Sequence, residues 1–267
     1  MRALVVSILM LVSYGLHGQE HRLYQSLVFQ HNNSELPYRV LFPEHFDPHK
    51  RYPLILFLHG AGERGSDNSL QLTHGATLFA EDKVRANYPA IVIFPQAPKA
   101  QYWANVKLDR STQPLTAVFS ANPKPTEALA ATIALMEEWS ARPYVDKTRV
   151  YAGGLSMGGM GTLELLYHKP AMFAAALVIC GAGDAALTSQ YRKGMPVWLF
   201  HGEQDQVVSP AYTQTMYEAI RRSGGQAKVT WYPEVGHNSW NPAFAEPDLL
   251  AWLFSHTLPA KGAVQEQ

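Results

Sequence analysis

The segment Gly154-Leu155-Ser156-Met157-Gly158 constrains this chain more than any other. A strand-like run, Thr148 to Gly153, enters it, and a helix-like run from Met157 through His168 leaves it. A serine on so tight a strand-to-helix turn is pushed clear of the sheet with its backbone strained. Glycines flank it because side chains there would collide. The following helix aims its free N–H groups and the positive end of its dipole at any negative charge that develops beside the serine. The five residues alone also fit a plain turn, so their meaning depends on what else the chain supplies.

A serine hydroxyl is a weak nucleophile at neutral pH. It needs a base within hydrogen-bond reach, and the base needs a third group to orient it and stabilise its cation. Both follow in the chain, each just past a strand-like run. Pro196 to Phe200 leads into His201-Gly202-Glu203-Gln204-Asp205, and Ala227 to Tyr232 leads into Gly236-His237-Asn238. The loop past the carboxyl end of a strand is where sites in open α/β sheets lie. Asp205 is the better match for the acid; Glu203, its rival, lies closer to the strand. Of eleven histidines, His237 is the candidate base, 81 positions after Ser156 and 32 after Asp205.

A third apolar run, Leu54 to Leu58, enters His59-Gly60-Ala61-Gly62-Glu63-Arg64-Gly65. Attack on a carbonyl creates an oxyanion, and preorganised backbone N–H groups stabilise it. Met157 is expected to supply one. The glycine loop is expected to supply the other, from Ala61, with Gly60 and Gly62 as alternatives. His59 reads as a hydrogen-bonded structural group, and Glu63 with Arg64 as an exposed ion pair rather than substrate ligands.

Taken in order, these four motifs, the last running on to Ser239-Trp240, resemble the α/β-hydrolase superfamily. They are most similar to its secreted bacterial phospholipase/carboxylesterase and feruloyl-esterase-like groups, which are related to prolyl oligopeptidase catalytic domains. The likeness spans about residues 35 to 255. It implies a triad of Ser156, Asp205 and His237, an oxyanion hole at Ala61 and Met157, and hydrolysis of carboxylic esters through an acyl-enzyme. Two alternatives use the same scaffold: a prolyl-oligopeptidase-like serine peptidase, and a non-catalytic binding protein.

Eight strand-like runs stand near 23–29, 37–42, 53–58, 90–94, 148–152, 175–180, 196–200 and 227–232. Helical patterns fall near 126–140, 157–168, 211–223 and 246–256, with Thr126 placed as an N-cap. This alternation predicts an α/β fold: a mostly parallel sheet of about eight strands, helices on both faces, and the first two strands pairing as an antiparallel edge. The stretch from Pro98 to Pro125 is long enough to expect a functional role. Its Trp103 either walls an acyl or aromatic pocket or packs the loop down. Trp240 likewise either walls the pocket or joins the core. Only a short stretch, Gly181 to Gly194, follows the sixth run, so no large lid domain is expected there.

Residues 1–18 read as a cleaved secretory signal: Arg2, then an apolar run from Ala3 to Val12, then small residues at Gly15 and Gly18. Residues 19–267 then form one catalytic domain, periplasmic or secreted. The lone Cys180 sits in an apolar run and reads as packing. Twenty-two basic and 22 acidic residues give a formal charge of zero with no basic stripe, which gives nucleic-acid binding no support. No metal-binding spacing occurs, so neither metal nor cofactor is expected. No further segment is long and apolar enough for membrane insertion. The expected partner is a small-molecule or polymer-attached ester, with oligomeric state left open.

Overall fold

Tyr52–Leu58 is buried at every position, as are Ile91–Pro95, Ala175–Ile179 and Pro196–Gly202. Strands with no exposed face belong in the middle of a sheet covered on both sides. The computed structural model describes residues 21–259, so the expected leader at 1–18 lies outside the described residues. In chain order the elements are β1 (Gln25–His31), β2 (Ser34–Leu41), β3 (Tyr52–Leu58), α1 (Ala76–Ala80), α2 (Asp82–Asn87), β4 (Ile91–Pro95), β5 (Val106–Asp109), β6 (Thr116–Phe119) and α3 (Glu127–Ser140). Then follow β7 (Val145–Leu155), α4 (Met157–His168), β8 (Ala175–Ile179), β9 (Pro196–Gly202), α5 (Pro210–Arg222), β10 (Gln226–Tyr232), α6 (Trp240–Phe244) and α7 (Leu249–Phe254).

Eight strands form one sheet in the order β1-β2-β4-β3-β7-β8-β9-β10. β2 runs antiparallel to both its neighbours, and every other pairing is parallel. Successive side chains of a strand point to opposite faces. Leu54, Leu56 and Leu58 accordingly join Leu129 and Met136 of α3, Leu163 of α4 and Ile220 of α5. Ile55 and Phe57 face the other way, onto Phe79 of α1 and Leu249 and Leu253 of α7. Thr126 caps α3 as expected, its Oγ1 accepting the Leu129 N–H at 3.2 Å.

The eight expected strands are the eight strands of this sheet. The stretch from Pro98 to Pro125 holds a feature that was not expected, the antiparallel hairpin β5–β6. Its strands are only four residues long and half-exposed, too short and too polar to read as sheet strands. The hairpin is tied down by the Leu115 N–H, which donates to the Val207 carbonyl at 3.0 Å beside Asp205. The helix expected at 246–256 is present as the shorter α7, Leu249–Phe254, and a separate five-residue α6 precedes it. Pro247, which has no N–H to donate, lies between them. Gly181 to Gly194 holds only a 3-10 turn at Ala185–Gln190 and no lid.

Candidate active site

β7 ends at Leu155 and α4 begins at Met157, so Ser156 alone makes the turn between them. Its backbone takes φ 52° and ψ −116°, a left-handed value that costs a non-glycine residue about 1–3 kcal/mol. Two contacts hold it there. The Ser156 N–H donates to the Ile179 carbonyl at 2.8 Å, and the Ser156 carbonyl accepts from Met160 N–H at 3.0 Å. The end of β3 presses on the first turn of α4. A Cβ on Gly158 would stand 2.0 Å from the Leu58 carbonyl oxygen, so this approach requires glycine.

His237 meets Ser156 across this turn. Its Nε2 lies 3.0 Å from Ser156 Oγ, and its Nδ1 lies 2.7 Å from Asp205 Oδ2. A carboxylate only accepts, so the Nδ1 proton points at Asp205 and the Nε2 lone pair faces the serine hydroxyl. Asp205 is buried, and its Oδ1 accepts the N–H groups of Val207 at 2.8 Å and Val208 at 3.0 Å. Burial by itself would raise its pKa. The hydrogen bonds from His201 and His237, the electrostatic attraction of the His237 ring and the Val208 amide prevail, holding the carboxyl well below the usual range. Glu203 is exposed and outside this network.

His201 is the residue that sequence reasoning missed. It is fully buried, and its Nε2 lies 3.1 Å from Asp205 Oδ2 and 3.0 Å from the Val208 carbonyl. With two acceptors facing it, Nε2 carries the proton. Nδ1 sits 2.7 Å from Thr213 Oγ1. The available signal was a histidine at a strand end, four residues before the candidate acid.

Ala61 and Met157 each begin a helical turn, where a backbone N–H has no partner within its own helix. Both line a cavity of about 300 Å³ with Ser156, His237 and Trp240. The loop carrying Ala61 is pinned through His59, the structural group expected. His59 Nδ1 donates to the Gly60 carbonyl at 2.6 Å, and Nε2 accepts the Ala97 N–H at 3.0 Å. Burial pushes its pKa down to about 4, so it is neutral at pH 7.

Of the two tryptophans, Trp240 walls the cavity, edge-on to His237 with ring centroids 5.5 Å apart. Trp103 does not. It is fully buried behind the loop that carries Ala61, where its Nε1 donates to the His59 carbonyl at 3.1 Å. α4 admits it only because residue 161 is glycine, whose Cβ would stand 2.4 Å from the Trp103 Cβ. The long stretch does reach the site, through Tyr102, Leu108, Arg110 and Leu115. Glu63 and Arg64 are not an ion pair. Glu63 faces His74 at 3.8 Å, while Arg64 donates to the carbonyls of Ala61, Lys99 and Gln101 and lies over the Tyr102 ring.

Cys180 is buried without a disulfide, and burial, then the Asp205 charge, push its thiol pKa far up. Among the described residues no three His, Cys, Asp or Glu side chains are grouped to hold a metal. No helix there is long and apolar enough to cross a membrane.

Residues 46–246 match the family model described as Phospholipase/Carboxylesterase. A solved structure titled a thermostable esterase shares 32% identity at a TM-score of 0.79, covering 90% of this chain and 64% of that one. A ferulic acid esterase shares the fold at a TM-score of 0.61 and 16% identity, covering 86% of this chain and 98% of its own. A curated protein of Salmonella typhimurium, named "Putative carboxymethylenebutenolidase", is 27% identical over 122 residues, 42% of this chain and 45% of that protein. The chain thus spans under half the length of that relative and just under two thirds of the esterase. With more than half of the chain matched to the family model and an eight-stranded, mostly parallel sheet bearing a serine at its strand-to-helix turn, the protein belongs to the phospholipase/carboxylesterase family of α/β-hydrolases.

Proposed function

We propose that this protein hydrolyses carboxylic esters through an acyl-enzyme on Ser156. The observation that carries the reading is the 3.0 Å contact from His237 Nε2 to Ser156 Oγ, on a strained turn facing a cavity. His237 Nε2 takes the hydroxyl proton as Oγ attacks the ester carbonyl. The N–H groups of Ala61 and Met157 receive the oxyanion, the largest single source of stabilisation in reactions of this kind. His237 then gives its proton to the departing alcohol. Water, activated by the same nitrogen, attacks the acyl-enzyme and releases the acid. Asp205 keeps the His237 ring in the required tautomer and offsets its positive charge. A cavity of about 300 Å³ suits a small acyl or alcohol group.

Export remains part of this reading: the apolar leader supports action outside the cytoplasm. N-terminal sequencing of secreted protein is expected to begin at Gln19.

The test of the activity is a fluorophosphonate probe with a nitrophenyl ester series. Labelling of the peptide that carries Ser156, and turnover that disappears in a folded Ser156→Ala protein, is the expected result. Wild-type turnover in that variant would overturn the assignment.

A further inference from the structure

Past Ala61 and Gly62, the cavity beside Ser156 adjoins a second hollow that shares Tyr102, Leu108 and Arg110 with it and adds Val106 and Arg64. Val106, Leu108 and Arg110 stand two residues apart along β5 and its continuation, so they share the face turned to the site. Lys107 and Asp109 lie on the opposite, exposed face. The wall therefore begins apolar and ends in a guanidinium.

Two cations converge there. Arg110 Nη2 donates to the Tyr102 hydroxyl at 2.5 Å, and the Arg64 guanidinium lies 4.9 Å from the centre of the same ring. Neither arginine takes part in any ion pair among the described residues. Arg64 spends donors on three backbone carbonyls. For Arg110 the Tyr102 hydroxyl is the one side-chain partner seen, which leaves most of its donor fork free. Neither nearby carboxylate pairs with these arginines: Asp109 accepts from the N–H and Oγ of Ser111, and Glu63, which also lines the cavity, faces His74.

We infer that this wall is a carboxylate subsite: the protein prefers esters with a negative carboxylate a short apolar span from the scissile carbonyl, and Arg110 binds it. The inference rests on the esterase reading. A planar guanidinium beside a ring hydroxyl can take a carboxylate in two parallel hydrogen bonds. The field of Arg64 adds to the attraction.

The test compares charged and neutral esters in two arms. Monoethyl adipate against ethyl hexanoate places the charge on the acyl side; 4-acetoxybenzoate against 4-acetoxybenzamide places it on the alcohol side. The charged-to-neutral ratio of kcat/KM is expected to favour the charged ester in one arm. It is expected to fall about tenfold in Arg110→Gln, recover in part in Arg110→Lys, and shrink with added salt. Lys107→Gln removes the same charge from the opposite face and is expected to leave the ratio alone. The arm that responds tells which side of the ester lies over Arg110. Equal ratios in wild type and Arg110→Gln in both arms would overturn the subsite. If the wild type cleaves none of the four esters and no nitrophenyl ester, the esterase reading fails. Calorimetric binding of the two charged esters to Ser156→Ala, with and without Arg110→Gln, then decides the subsite on its own: weaker binding without Arg110 supports it, and equal binding ends it.

Discussion

His201 donates from Nε2 to Oδ2 of Asp205 at 3.1 Å, the same oxygen that accepts from His237 at 2.7 Å. The candidate acid is therefore clamped from both sides inside a site where neither His201 nor the Asp205 side chain touches solvent. Loss of a buried donor to a charged acceptor costs about 1.5–3 kcal/mol. His201→Phe keeps a flat ring and removes the donor. It is expected to lower kcat about tenfold or more while KM moves little, because the contact aims the Asp205–His237 pair. An unchanged kcat in a less heat-stable protein would reduce His201 to a packing role.

Asp205→Asn tests the tautomer argument. An amide can present its N–H₂ to His237, which then places its own proton on Nε2 and leaves Ser156 without an acceptor. The expected loss in kcat is about four orders of magnitude, by analogy with the same change in serine proteases. Substrate affinity is expected to survive, since Asp205 does not line the cavity. Steady-state kinetics on a nitrophenyl ester read both quantities.

His59 gives the fold a pH dependence of known sign. Its folded pKa is depressed to about 4 from an ordinary 6.5. Between those values the unfolded chain holds a proton that the folded state refuses. Stability therefore falls as pH drops from about 6.5 to about 4, by on the order of 3 kcal/mol from this group, and is level with respect to it above 6.5. Denaturant unfolding across that range is expected to show a steeper pH slope for wild type than for His59→Gln. Identical slopes would remove His59 as the cause.

The two tryptophans are expected to separate stability from specificity. Trp103→Phe loses the bond to the His59 carbonyl and some buried volume, so its thermal midpoint drops while the ester chain-length profile keeps its shape. Trp240→Ala opens the cavity wall and shifts that profile. A reshaped profile in Trp103→Phe would place Trp103 back in the pocket.

The succession of strands and helices along the chain, the turn at Ser156 and the loops carrying Asp205 and His237 were legible in the sequence because each is local. An apolar run with no polar alternation marks a central strand, and a serine between glycines at a strand-to-helix junction marks a strained turn. Four residues of Val106-Lys107-Leu108-Asp109 carry too little period to announce a hairpin. Their placement over the site comes from the distant bond between Leu115 and Val207.

By itself the sequence determined the strands, their alternating helices and the linked side chains of Ser156, His237 and Asp205, because short-range patterns specify which residues end each strand. Only the tertiary structure decided which neighbour of a pair faces the cavity. Tyr102 lines it and Trp103 is buried behind it, one residue apart, since a glycine at 161 leaves room for one ring in the core. It also decided that His201 closes on Asp205 and that Arg110 overlooks the site. Arg110 reaches the site because the bond between the distant Leu115 and Val207 sets the hairpin down there, and the four-residue spacing of His201 and Asp205 becomes a contact only through the turn that follows β9.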